Sequence, residues 1–123
     1  MAHLRVLVVE DEIDGQEVVS AILEMNGLNV DVVGDAESAL DNLENYIYHA
    51  AIIDIALPDM DGWGLLSEIR QRDNLSHLPC LAITAYHDSS VRQKSMDVGF
   101  DAYLPKPLNA DNLIATVDKL LVG

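Results

Sequence analysis

Short apolar runs alternate with longer stretches in which apolar residues recur every three or four positions, from one end of the chain to the other. Residues 4–9 are almost continuously apolar, the pattern of a strand covered on both faces. Val18, Val19, Ile22 and Leu23 then fall at helical spacing, and Gly27 supplies a stop. Residues 29–33 are β-branched enough for a second strand, and Asp35 is a good N-cap for a helix through Leu43. Residues 50–55 predict a third buried strand, followed by a loop with Pro58 and Gly62 and a helix over 63–72. A fourth strand is expected over 78–83, with Pro79 tolerated near its start. A helix with a thin apolar stripe follows over 89–98, closed by Gly99, then a short strand over 102–104. Asn109 caps a last helix whose Leu113, Ile114, Val117, Leu120 and Leu121 share one face.

Strand then helix, repeated five times, predicts a parallel sheet with helices on both sides. No low-complexity tract, linker or short repeat interrupts the pattern, so one α/β domain is expected to fill residues 1–123. A chain of this length buries roughly two thirds of its unfolded surface. Aromatics are only 5% of residues, so that core must be aliphatic.

Charge narrows the function. Seven Lys and Arg stand against 21 Asp and Glu, a formal net charge of -14. Such a field repels phosphate backbones and anionic lipid, which argues against direct nucleic-acid or membrane binding. Cys80 is the single cysteine, so no internal disulfide and no cysteine-based structural metal site can form; a small buried hydrophobe is its expected role. No run approaches the roughly 20 apolar residues of a membrane span. The apolar run after Arg5 ends abruptly at Glu10-Asp11-Glu12, unlike a secretory leader, and a cytoplasmic chain is expected. His3, His49, His77 and His87 are scattered, none at metal-ligand spacing, and are expected at the surface.

In a sheet of this kind ligands bind at the carboxyl ends of the strands. That rule selects a few polar residues. Glu10 and Asp11 follow the first strand, Asp54 ends the third, Thr84 ends the fourth and Lys106 follows the fifth. Asp54 interrupts an apolar run, and a buried carboxylate is costly unless paired or bound to metal. A loop cap is the plainer role for one such acid. Three carboxylates on one edge demand more: at ~4 Å and an effective dielectric of 20, each like-charged pair costs about 4 kcal/mol. A hard divalent ion such as Mg2+ suits an all-oxygen ligand set, and Lys106, stiffened between Pro105 and Pro107, adds a second positive charge. A carboxylate so placed can attack phosphorus and form an acyl phosphate, with the Thr84 hydroxyl on a phosphoryl oxygen.

Val8-Val9-Glu10-Asp11, Asp54 through Leu57-Pro58-Asp59-Met60-Asp61-Gly62, Thr84-Ala85 and Lys106-Pro107 together resemble the receiver domains of two-component response regulators, over essentially the whole chain. The resemblance implies a flavodoxin-like three-layer α/β/α fold with strand order 2-1-3-4-5. It implies a phosphoacceptor switch in which Asp54 takes phosphate from a histidine kinase or histidine phosphotransfer protein, and an output domain or downstream protein reads the change. Glu10, Asp11, Asp54 and the backbone carbonyl of Ala56 would hold Mg2+, with Mn2+ able to replace it, and Thr84 and Lys106 would assist the transfer. Lys106-Pro107 would be a cis peptide. Tyr103 would turn inward as Thr84 moves, Ala85 leaving it room; a static half-buried tyrosine is the plainer reading. Tyr86 would shield the acyl phosphate. The face from the fourth helix through Tyr103 to the last helix would be the output surface, and the oligomeric state, including a phosphorylation-dependent dimer, stays open.

Three other classes share part of this pattern, and a degenerate receiver that only docks is disfavoured because all the expected site residues are present. A haloacid-dehalogenase-like phosphatase also uses an aspartyl nucleophile, but usually carries a second aspartate two residues later, where this chain has Ala56. A flavodoxin needs a hydroxyl- and glycine-rich loop where Glu10-Asp11-Glu12 stands. Asp59, Asp61, Gly62 and Glu68 match part of the EF-hand spacing, but its first ligand would be Leu57.

Overall fold

The computed structural model describes residues 4–86 and 88–122; His3 and His87 lie outside them. Strands β1 (Arg5–Val9), β2 (Asn29–Val33), β3 (Ala50–Asp54), β4 (Cys80–Thr84) and β5 (Ala102–Pro105) alternate with helices α1 (Ile13–Met25), α2 (Ala36–Asn45), α3 (Gly62–Arg70), α4 (Ser89–Val98) and α5 (Ala110–Val122). All strand pairs are parallel, in the order β2-β1-β3-β4-β5. This is the expected three-layer fold, with β1 and β3 side by side at the point where the strand order reverses.

Strand alternation divides the core in two. Leu7, Val9, Ala51, Ile53, Cys80 and Ala82 face the side covered by α2 and α3, against Ala39, Leu43, Leu65 and Ile69. Val6, Val8, Ala50, Ile52, Leu81 and Ile83 face the side covered by α1 and α5, against Val19, Leu23, Leu113 and Val117. Full burial of each large aliphatic side chain stabilises by about 1.5–3 kcal/mol. Four of them, Ile52, Ile53, Leu81 and Ile83, are fully buried in β3 and β4, so these strands can also carry a buried carboxylate.

The element ends have local causes. Asp35 caps α2 through Ser38 N–H at 2.7 Å, and Asn109 caps α5 through Asn112 N–H at 3.0 Å. Gly99 ends α4 with φ 116°, a left-handed conformation that glycine adopts without penalty. Strand β4 starts at Cys80 rather than at residue 78, because Pro79 has no N–H to donate and contributes only its carbonyl, to Ala51 N–H at 2.9 Å. Helix α3 starts one residue early, at Gly62, where the Asp61 carboxylate accepts from Gly64 N–H at 2.8 Å. It stops at Arg70 because the last turn tightens, with Arg72 N–H on the Ile69 carbonyl. Of the apolar residues expected to bury α1, Val19 and Leu23 do so, whereas Val18 is half exposed.

Candidate functional site

The strand alternation that divides the core also aims the polar residues. Glu10 continues the Val6–Val8 series, Asp54 the Ala50–Ile52 series and Lys106 the Ala102–Leu104 series, all of which belong to the α1/α5 side. The backbone ladders run past the strand ends and hold that phase: Glu10 N–H donates to the Val33 carbonyl at 3.0 Å and Lys106 N–H to the Thr84 carbonyl at 2.8 Å. Three charged side chains from β1, β3 and the segment after β5 therefore meet at one rim.

The Lys106 ammonium joins them. Its Nζ donates to Asp54 Oδ2 at 2.7 Å and to Glu10 Oε1. The second Asp54 oxygen accepts from Ala56 N–H at 2.9 Å. Asp54 is 3% exposed and Glu10 is fully buried. Burial pushes the Glu10 carboxyl above the usual carboxylate range, the neighbouring Asp54 adds to the rise, and Lys106 opposes it. Burial by itself lowers the Lys106 pKa, but the hydrogen bonds to Asp54 and Glu10 outweigh it and leave the ammonium more firmly protonated than usual. Two buried carboxylates against one ammonium leave negative charge at the rim.

Asp11 stands on the outer, exposed side of this group. One carboxylate oxygen each from Glu10, Asp11 and Glu12 lie within 4.8 Å of one another. The three acids expected to converge were Glu10, Asp11 and Asp54. The structure couples Glu10 to Asp54 through Lys106, and groups Asp11 with Glu10 and with Glu12, a residue the sequence reading had not singled out. Its signal was the run of three acids directly after β1. Hard oxygen donors only, one fully buried carboxylate and excess negative charge open to solvent at Asp11 and Glu12 fit a divalent cation such as Mg2+.

The loop after β3 folds back so that Gly62 lies against the backbone of Asp54 and Ile55. Gly62 N–H donates to the Ile55 carbonyl at 2.8 Å, and a Cβ at Gly62 would lie 2.7 Å from the Asp54 carbonyl oxygen. Only glycine permits that approach. Two of the acids that mimic calcium-loop spacing are helix caps: Asp59 accepts from Ala36 and Glu37 N–H of α2, each at 3.0 Å, and Asp61 caps α3, whereas Glu68 lies within α3 beside Arg72. The Ala36 bond is the main reason that the Asp59 carboxyl is held below its usual pKa. Ala56 is exposed, and the Lys106-Pro107 peptide is cis.

Thr84 and Tyr103 belong to the other face. Thr84 is fully buried, in phase with Cys80 and Ala82, and its Oγ1 accepts from Tyr86 N–H at 3.0 Å. Tyr103, opposite Ala82 in the β4–β5 pairing, packs against the α2/α3 core. Its hydroxyl is enclosed and has no hydrogen-bond partner among the described residues. The side chain of Tyr86 is 70% exposed. Sequence reading also missed the link between Trp63 Nε1 and the buried Ser95 Oγ, which joins α3 to α4 at 2.9 Å; a serine on a polar helix carries no signal of burial.

Comparison with known proteins converges on the same architecture. The family model for the response regulator receiver domain matches residues 6–118. An uncharacterized 14.6 kDa protein in the sodA1 3' region of Leptolyngbya boryana is 34% identical over 119 residues, covering 97% of this chain and 91% of its own. Response regulator MprA of Mycobacterium sp. (strain KMS) is 34% identical over 118 residues, covering 96% of this chain but 50% of MprA, so the chain spans about half the length of that relative. The CheY-like response regulator receiver domain protein of Methanospirillum hungatei superposes with a TM-score of 0.90 at 29% identity, covering 98% of this chain and 95% of that one. The receiver domain of sensor histidine kinase PA1611 from Pseudomonas aeruginosa, solved with a magnesium ion coordinated in its active site cleft, gives 0.92 at 30% identity, covering 99% and 100%. No helix among the described residues is long and apolar enough to cross a membrane. With a family match across 6–118 and the same fold in these neighbours, the chain belongs to the receiver domains of two-component response regulators.

Proposed function

We propose that residues 1–123 form a single receiver domain acting as a phosphorylation switch, with Asp54 as the phosphoacceptor. The observation that carries this reading is the buried Asp54 carboxylate at the rim of the sheet, hydrogen-bonded to Lys106 Nζ at 2.7 Å. One Asp54 oxygen attacks the phosphorus of a histidine-bound phosphoryl group. A P–O bond forms, the P–N bond breaks, and the donor's imidazole leaves with the electron pair and takes up a proton. Ala56 N–H fixes the plane of the attacking carboxylate, while Lys106, already aimed at it, transfers its hydrogen bond to a phosphoryl oxygen. Glu10, Asp11, Asp54 and the Ala56 carbonyl would hold Mg2+, or Mn2+ in its place, which would supply positive charge to offset that on the phosphoryl oxygens.

Thr84 then exchanges its Tyr86 N–H contact for a phosphoryl oxygen, and Tyr103 follows on the same face of the sheet, passing the change to α4 and α5. The donor is a histidine kinase or histidine phosphotransfer protein, and the reader an output domain or a separate protein. The setting is the cytoplasm. Nothing favours the haloacid-dehalogenase-like alternative, since Ala56 offers no carboxyl to act as general acid.

Incubation with Mg2+ and a small acyl phosphate should add the mass of one phosphoryl group to the native chain and none to Asp54→Asn. An unmodified native chain, or equal modification of Asp54→Asn, would overturn the reading.

A further inference from the structure

Glu10 does not reach Lys106 across open space; it lies along the first turn of α1. Its backbone carbonyl accepts from Gln16 Nε2 at 2.6 Å, and its Oε2 faces Glu12 N–H at 3.4 Å. Its Oε1 takes the Lys106 ammonium. Between these anchors the carboxylate passes directly over the bare Cα of Gly15. A Cβ at that position would overlap Glu10 Oε1, and would lie 2.8 Å from Cδ and 3.1 Å from Cγ. Contacts under 3.0 Å are not sustained, so an alanine there would drive the carboxylate out.

Gly15 is otherwise an odd choice. It is the third residue of α1, in ordinary helical territory, where alanine is the better helix former. It is absent from the positions where positive φ demands glycine. The adjacent helix end also lacks a side-chain cap from Glu12, whose own N–H is the group that faces the Glu10 carboxylate.

We infer that Gly15 is a positioning residue of the phosphorylation site: its missing side chain is the seat that keeps the long Glu10 carboxylate folded onto α1, bridging to Lys106 and available to a divalent ion. The inference rests on the function proposed above, and it explains how a glutamate is accommodated there. An aspartate, whose carboxylate oxygens reach only about as far as Glu10 Cδ, would lose the overlap at Oε1 and need the seat less. Gly15 and Glu10 are therefore a matched pair.

The test is a cycle of Gly15→Ala, Glu10→Asp and the double variant, measured twice. In urea unfolding without metal, Gly15→Ala should destabilise the native chain clearly more than the Glu10→Asp chain, where the overlap at Oε1 is absent and the helix preference of alanine offsets the rest. In calorimetric titration with Mg2+, Gly15→Ala should weaken binding about tenfold or more, the scale for loss of a group that orients a metal ligand. In the Glu10→Asp background the same substitution should cost distinctly less, about threefold or less, since the cycle isolates the coupling between the two residues. Additive unfolding effects, or an equal loss of Mg2+ affinity in both backgrounds, would overturn the inference. If the native chain binds no Mg2+, the proposed metal chemistry fails, and the metal-free cycle still decides whether Gly15 seats Glu10.

Discussion

The indole N–H of Trp63 donates to Ser95 Oγ at 2.9 Å, across the gap between α3 and α4. Ser95 passes the bond on to the Val91 carbonyl at 2.8 Å, and Lys94 Nζ lies 4.1 Å from the centre of the indole ring. Ser95 is the buried residue of α4, so this helix is held by a polar link and a cation–π contact more than by aliphatic packing.

Ser95→Ala should therefore loosen α4 selectively. The half-buried indole would lose its acceptor, at a cost of about 0.5–1.5 kcal/mol. Tryptophan emission should shift, and the amides of α4 should exchange faster while those of α1 stay protected. Unchanged exchange in α4 would show that the link is incidental.

Tyr103→Phe should not destabilise the unphosphorylated domain. The enclosed hydroxyl has no partner among the described residues, and an unsatisfied buried polar group costs about 1–3 kcal/mol, which phenylalanine avoids while keeping the ring against the core. A urea midpoint equal to or above that of the native chain is expected. A clear loss would mean that the hydroxyl finds a partner in solution. The orphan hydroxyl is the kind of local cost that a switch residue carries in one of its two states.

Lys106 and Asp54 should separate in their effects on stability. Lys106 is the shared counter-charge of two buried acids, so Lys106→Met leaves them facing each other, and breaking a buried ion pair costs about 3–5 kcal/mol. Asp54→Asn keeps the shape and removes one negative charge, leaving Glu10 and Lys106 balanced. It should unfold at the same urea concentration as the native chain or higher, although on the proposed reading it would accept no phosphoryl group. Added Mg2+ should recover part of the Lys106→Met loss, because a ligand that binds only the native state stabilises it. Equal destabilisation by both variants would contradict the charge arrangement described here.

Much of this was legible in the sequence, for identifiable reasons. Asp54 stood out because a lone carboxylate in Ala51-Ile52-Ile53 has no cheap explanation, and Glu10 and Lys106 because strand periodicity carries them to the same rim. Side-chain length is what sequence could not resolve. Whether Asp11 or Glu12 completes the acidic group depends on how the backbone turns into α1, and the fit of Glu10 over Gly15 depends on the absence of a single Cβ. The caps made by Asp59 on α2 join segments 22 and 23 residues apart, and no local pattern encodes that pairing.

High pH should unfold the domain through two buried neutral groups far from the site. Burial pushes the Cys80 thiol from 9.0 up to about 12, and burial with the Asp31 contact at 2.6 Å pushes the Tyr48 phenol from 10.0 up to about 12. Both groups are protonated in the native state, and the unfolded chain releases those protons at the lower, ordinary values. Their stabilisation is thus complete below about 9 and is lost as pH rises toward about 12. Urea midpoints should hold between pH 7 and 9 and fall steeply above it, and Tyr48→Phe should flatten part of the fall. Cys80, fully buried and bonded to the Leu78 carbonyl at 3.3 Å, should resist a thiol reagent at pH 8 until the chain is unfolded. Native and unfolded chains labelled at equal rates would mean that β4 opens to solvent, contrary to the packing of the sheet.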